Sequence, residues 1–317
     1  MPLSADKARR LHALSTPSGI IAAAALDQRG GLRRTLADLT GVPPEQVPAA
    51  SMEEFKTEVS RALTPHASAI LLEHEYGLAA AAARHPDCGL ILAYESSGYD
   101  KSRPGRRMQI HEGLSARRVA ALGAHAAKLL VYYNPGDDAQ AMDATRALVE
   151  RVGAECAGCG IAFLLEILTY DLGDASAKPR LVIEAMREFS QPVYCVDLLK
   201  VEFPCPPGPL WSRQETMRLT REASDVCAVP FIYLSAGVDN DVFVEQLQMA
   251  AECGSEFSGV LCGRATWKGG LPVYARHGAG ALESWLSGEG VANIARINTA
   301  LAQARPWWGK LGLVTAP

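Results

Sequence analysis

The chain reads as a closed (β/α)8 barrel, and three observations predict it. Eight short apolar runs alternate with helix-like segments along 317 residues. The runs are spaced by roughly 25 to 45 residues with helical pattern between them, the signature of βα units and a parallel sheet. No break in composition divides the chain, so residues 1–317 are expected to form one barrel domain, for which about 250 residues is typical. An open doubly wound sheet is the competing architecture. It is weakened by the lack of a GxGxxG after the first strand and of a GxxxxGK[ST] anywhere.

Residues 4–14 look like a short amphipathic helix followed by the turn TPSG. The first strand is Ile20 to Leu26, ending in the polar loop Asp27-Gln28-Arg29-Gly30-Gly31. Ser51 and Glu54 suggest a capping box opening a helix through about Leu63. Further strands are expected at 68–72, 89–94, 127–133, 161–168, 193–201, 230–235 and 258–262. Helices fit between them at 76–84, 115–122, 138–158, 178–189, 212–227 and 239–253, with a last one at 277–301.

Hydrophobic residues make up 48% of the chain, charged residues 21%, and the formal net charge is −4. This balance gives no basic surface for nucleic acid, and the cluster Arg103 to Arg107 is too short to serve as one. Eight cysteines stand singly, several inside apolar runs, which fits reduced thiols in the cytoplasm better than a disulfide framework. Cys156 and Cys159 form a CxxC without a second one. The seven histidines form no HxH or HExxH pair, so no metal and no cofactor is expected. The run Ile20 to Leu26 is too short to span a bilayer, and no leader pattern precedes it.

Three successive strand candidates each carry an ionisable group inside an apolar run: Lys128, Glu166 and Lys200. In the stretch PVYCVDLLKVEFP, strand alternation puts Lys200 on the same face as Leu198, pointing inward. A buried charge without a partner is costly, so three in neighbouring strands argue for one cluster at the barrel mouth. Two lysines and a glutamate suit imine chemistry. A nucleophilic lysine must be neutral, a nearby cation or burial disfavours its charged form, and a carboxylate can move protons. The competing explanation is a buried Lys-Glu-Lys ion network with no chemistry.

The seventh run ends Ser235-Ala236-Gly237 and the eighth Cys262-Gly263-Arg264. These are small residues and a cation where many barrels bind phosphate. The loop after the third strand, from Glu95 to Lys101, leads into Arg103, Arg106 and Arg107, and is placed to fold over the far end of a doubly anionic substrate.

Together, LDQRGGL at 26–32, EHEYGL at 73–78, LAYESSGYD at 92–100, AAKLLVYYN at 126–134, LLEIL at 164–168, DLLKVEFP at 197–204, LSAGV at 234–238 and GVLCGRATW at 259–267 resemble the tagatose 1,6-bisphosphate aldolase family. That family also contains the sulfofructosephosphate aldolases of sulfoquinovose breakdown. The similarity spans about residues 18–270, and the tail with Pro306-Trp307-Trp308 has no anchor in it. The resemblance implies a class I, metal-independent aldolase with Lys200 as Schiff-base lysine, Glu166 as general acid/base and Lys128 as neighbouring lysine. Asp27, Gln28, Arg29, Ser235, Gly237 and Arg264 would surround the substrate and its phosphate.

The expected reaction is reversible cleavage of a phosphorylated ketose, tagatose or fructose 1,6-bisphosphate, to dihydroxyacetone phosphate and glyceraldehyde 3-phosphate. Glu166 is the first choice to take the C4 hydroxyl proton, with Asp27 in reserve. Two alternatives are carried: cleavage of 6-deoxy-6-sulfofructose 1-phosphate to 3-sulfolactaldehyde, and a non-catalytic barrel that senses sugar phosphates. Trp307 and Trp308 fit either a homo-oligomer interface or a plug at the barrel's base.

Overall fold

The structure is a computed structural model describing residues 3–170 and 173–312. Eight parallel strands, β1 (Ile21–Ala25), β2 (Ala69–Leu72), β3 (Gly89–Ala93), β4 (Ala126–Tyr133), β5 (Ala162–Thr169), β6 (Leu198–Val201), β7 (Phe231–Leu234) and β8 (Gly259–Cys262), pair in sequence order. β1 also pairs with β8, which closes the (β/α)8 barrel.

Period-2 alternation splits the apolar residues into two cores. Ile21, Ala23, Ala25, Leu71, Ile91, Leu164, Leu198, Ile232 and Leu261 fill the barrel interior. Ala22, Ile70, Leu90, Leu129, Phe163, Leu199 and Val260 face the surrounding helices. Continued upward, the inner set reaches Lys128, Glu166 and Lys200. Glu166 stands directly opposite Lys200 in the β5·β6 register, and Leu130 opposite Glu166 in β4·β5.

The base is plugged by the helix Ala5–Ala13 and the C-terminal turn. Trp307 is fully buried in the same core as Leu11 and Leu14, its ring edge-on to His12 at 5.1 Å. Trp308 packs beside it, so the two tryptophans close the barrel floor.

Three local expectations are corrected. Strand six does not begin at 193. Pro192 to Tyr194 forms a 3-10 turn, and Cys195 adopts φ +51, which breaks an extended chain. The turn packs on the helix Ala139–Cys159 at Gly153, where a Cβ would lie 1.9 Å from the Tyr194 carbonyl oxygen. Ser51 is not an N-cap, because its helix starts two residues earlier, at Ala49 after Pro48. The final helical stretch begins at Gly270 and is kinked at Gly278, whose φ is +77; a π-turn over Leu286–Gly290 then leads into Val291–Ala300.

Candidate active site

Lys128 is the centre of the barrel mouth. Fully buried on β4, its ammonium lies 2.6 Å from Glu95 Oε1, 2.9 Å from Asp27 Oδ2 and 2.9 Å from Glu166 Oε2. Burial alone would push a lysine's pKa down, but Asp27, Glu166 and Glu95 together raise it well above the ordinary value. Lys128 therefore stays cationic. Asp27 shows the mirror effect: burial would raise its pKa, but Lys128 and Lys200 hold it far below the usual carboxylate range.

Lys200, only 4% exposed on β6, lies 2.9 Å from the same Glu166 oxygen that touches Lys128. One carboxylate oxygen thus contacts both lysines. Because Lys128 is also met by Asp27 and Glu95, it is not a bare cation beside Lys200, as the spacing of charges alone suggested.

The polar segment after β1 wraps this cluster. Arg29 donates from Nη2 to the Glu95 carbonyl at 2.9 Å and lies 3.9 Å from its carboxylate. Gln28 places its amide nitrogen 3.3 Å from where a Cβ on Gly263 would sit, and its buried carbonyl oxygen has no protein donor among the described residues. The end of β1 is gripped from outside. Trp267 Nε1 donates to the Ala25 carbonyl at 2.9 Å, and Lys56 donates to the Leu26 carbonyl at 2.7 Å and to Glu73 at 2.6 Å.

Ser235 is buried at the end of β7, beside the Cys262 thiol at the end of β8. Burial pushes that thiol up to about 12 although Ser235 and Lys200 act against it. Ala236 and Gly237 both take positive φ, +48 and +84. A Cβ on Gly237 would stand 2.7 Å from Arg264 Nη2, so the absent side chain leaves room for the exposed guanidinium. Arg264 itself opens the four-residue helix Arg264–Trp267.

Glu95 is the residue that reading the sequence missed, having been taken as the first position of a loop. The residue is 3% exposed, and its second carboxylate oxygen accepts the Leu130 backbone N–H at 3.1 Å. A signal existed: Glu95 lies two residues past Ala93 on the inward alternation, as Asp27 lies two past Ala25.

With this geometry in place, a family model described as DeoC/LacD family aldolase matches residues 21–269. A "Tagatose 1,6-diphosphate aldolase" of Listeria monocytogenes is 42% identical over 320 residues, covering 95% of this chain and 94% of its own. The "Tagatose 1,6-diphosphate aldolase 2" of Enterococcus faecalis is 42% identical over 325 residues, 97% of each chain. A solved fructose-bisphosphate aldolase of Plasmodium falciparum superposes with a TM-score of 0.69 over 96% of both chains at 15% identity, a likeness of fold. The family model spans most of the barrel and the relatives match over nearly the full length: the chain belongs to the DeoC/LacD family of aldolases.

Proposed function

We propose that this aldolase cleaves tagatose or fructose 1,6-bisphosphate reversibly through an imine on Lys200, giving dihydroxyacetone phosphate and glyceraldehyde 3-phosphate. The observation that carries the reading is Glu166 Oε2, 2.9 Å from both lysine nitrogens. The names of the near-full-length relatives support a bisphosphate rather than a sulfonated ketose as substrate, and the family argues against a mere sensor.

In this reading Lys200 passes a proton to Glu166 and adds, neutral, to the C2 carbonyl; Glu166 returns that proton to the departing carbinolamine hydroxyl, and loss of water leaves a protonated imine beside a carboxylate free to act as base. Glu166 then takes the C4 hydroxyl proton. The C3–C4 bond breaks, its electron pair flows to the iminium nitrogen, and the aldehyde leaves. Reprotonation of the enamine at C3 and hydrolysis release dihydroxyacetone phosphate and restore the amine. Asp27 is disfavoured as the base, because its ion pair with Lys128 holds its pKa down. It orients Lys128 instead. Lys128, kept cationic, donates to the C4 oxygen as it develops charge. Ser235, Gly237, Gly263 and Arg264, with Gln28 and Arg29, receive the C1 phosphate.

A cytoplasmic setting is part of the proposal, supported by eight cysteines that are all free thiols. No helix among the described residues is long and apolar enough to cross a membrane.

Borohydride added with dihydroxyacetone phosphate should fix a single adduct on Lys200, read by mass spectrometry. Lys200→Met should lose both adduct and turnover. An adduct that persists in Lys200→Met would overturn the assignment. Tagatose, fructose and sulfofructose substrates assayed side by side decide the C6 group.

A further inference from the structure

Arg106 stands at the mouth apart from the catalytic cluster, ringed by aromatic side chains. It lies in the excursion that starts at Glu95 and returns at Ile110, two positions joined by an antiparallel bridge. Higher up, Asp100 and Arg107 form a second bridge. Gly105, at φ +83, packs so closely on the helix Ala139–Cys159 that a Cβ would meet that of Ala141 at 2.2 Å. Arg106 itself is held at φ +48, an unfavourable conformation for a long side chain.

Three tyrosines surround its guanidinium. Its Cζ stands 4.2 Å from the ring centre of Tyr170 and 5.7 Å from those of Tyr99 and Tyr132. Tyr132 continues the inward line of Lys128 and Leu130 up β4, about 13 Å of strand above Lys128. The half-buried guanidinium makes no hydrogen bond and no ion pair among the described residues. Lys128, Lys200 and Arg29 all face carboxylates. Aromatic faces stabilise a cation without occupying its N–H edge, so the donors of Arg106 stay available to an oxyanion.

We infer that Arg106, caged by Tyr99, Tyr132 and Tyr170, binds the C6 phosphate of the ketose and so selects a doubly anionic substrate. The inference rests on the Lys200 reading above, since it takes the sugar to be anchored there at C2.

Steady-state cleavage of fructose 1,6-bisphosphate and of fructose 1-phosphate, which has no charge at C6, by wild type, Arg106→Ala and Arg106→Lys tests it. For the bisphosphate, Arg106→Ala should raise KM roughly 10- to 100-fold with kcat within about threefold, and Arg106→Lys should recover part of the loss. For fructose 1-phosphate all three proteins should behave alike. Equal losses on both substrates, or none on either, would overturn the cage as the C6 site. Borohydride trapping of dihydroxyacetone phosphate separates the two levels of the argument. Undiminished trapping in Arg106→Ala shows the Lys200 end intact and supports the cage. Trapping lost only in that variant gives the loop a structural role and overturns it. If wild type forms no adduct, the Lys200 reading fails and the cage falls with it.

Discussion

Glu95 Oε1 lies 2.6 Å from Lys128 Nζ, while its other carboxylate oxygen accepts the N–H of Leu130, two residues further along the same strand. One side chain thereby ties the start of the β3 loop both to the central ammonium and to the backbone of β4.

Replacing Glu95 by Gln tests what that tie contributes. Lys128 keeps Asp27 and Glu166, so its charge is not stranded, and the loss is that of one charge-assisted hydrogen bond, about 1.5–3 kcal/mol in urea unfolding. Lys128→Met is harsher. It leaves Asp27, Glu95 and Glu166 without their shared cation, and about 3–5 kcal/mol is expected. A Glu95→Gln loss as large as that of Lys128→Met would contradict the shared-cation picture.

The same cluster sets a pH dependence. Lys128 has its folded pKa raised, so its stabilising contribution is complete below the unfolded value near 10.4 and is lost as pH rises through the folded one. Asp27 has its folded pKa depressed, so its contribution is complete above about 3.9 and is lost as pH falls toward the folded value. Lys56, pulled down by burial although Glu73 opposes, acts with the opposite sign in alkali, but it is common to wild type and variant. The stability gap between wild type and Lys128→Met should therefore be flat from about pH 5 to 9 and narrow outside that range. Urea melts at five pH values check this, and a gap that grows in acid would refute it.

Most of the barrel was legible because each strand is a short apolar run ended by polar residues, and each inward charge repeats about once per βα unit. What escaped was local. Pro192-Val193-Tyr194-Cys195 is as apolar as a strand, yet proline at the first helical position and the positive φ at Cys195 make it a turn. Ser51 with Glu54 matches a capping box by composition, but Pro48 already starts the helix. At the site, Lys128, Glu166 and Lys200 stood out as lone ionisable groups inside successive apolar runs, and Asp27 came in through the family resemblance. Glu95 was missed although it continues the inward alternation of β3, and Arg106 was read only as part of a loop over the far end of the substrate; the course of that excursion, packed on the helix Ala139–Cys159, shows in no periodicity of the segment.

Gly237 carries two constraints at once, the positive φ and the nearness of Arg264. Ala at this position costs about 1–2 kcal/mol in backbone strain and forces the guanidinium aside. Gly237→Ala should raise KM for both the bisphosphate and the 1-phosphate, with trapping chemistry at Lys200 retained at saturating substrate. A rise confined to the bisphosphate would place this corner at C6 rather than C1.

Two buried tryptophans make a paired test of which end of the barrel serves the chemistry. Trp267 and Trp307 are each about 1% exposed or less, so replacing either by Phe removes comparable apolar volume. They differ in the indole N–H. That of Trp267 donates to the Ala25 carbonyl two residues before Asp27, whereas that of Trp307, in the floor of the barrel, has no acceptor among the described residues. Trp267→Phe strands a buried carbonyl and frees the end of β1, so it should cost about 1–3 kcal/mol more than Trp307→Phe. Its effect on function should be distinct as well. With β1 loosened, Asp27 shifts against Lys128 and kcat falls, on the order of tenfold for a sub-ångström displacement at the reacting centre. Trp307→Phe should lower the melting temperature while leaving kcat per folded molecule unchanged. Circular dichroism melts with steady-state rates on the same preparations separate the two effects, and equal kcat losses in both variants would refute the link from Trp267 through β1 to Asp27.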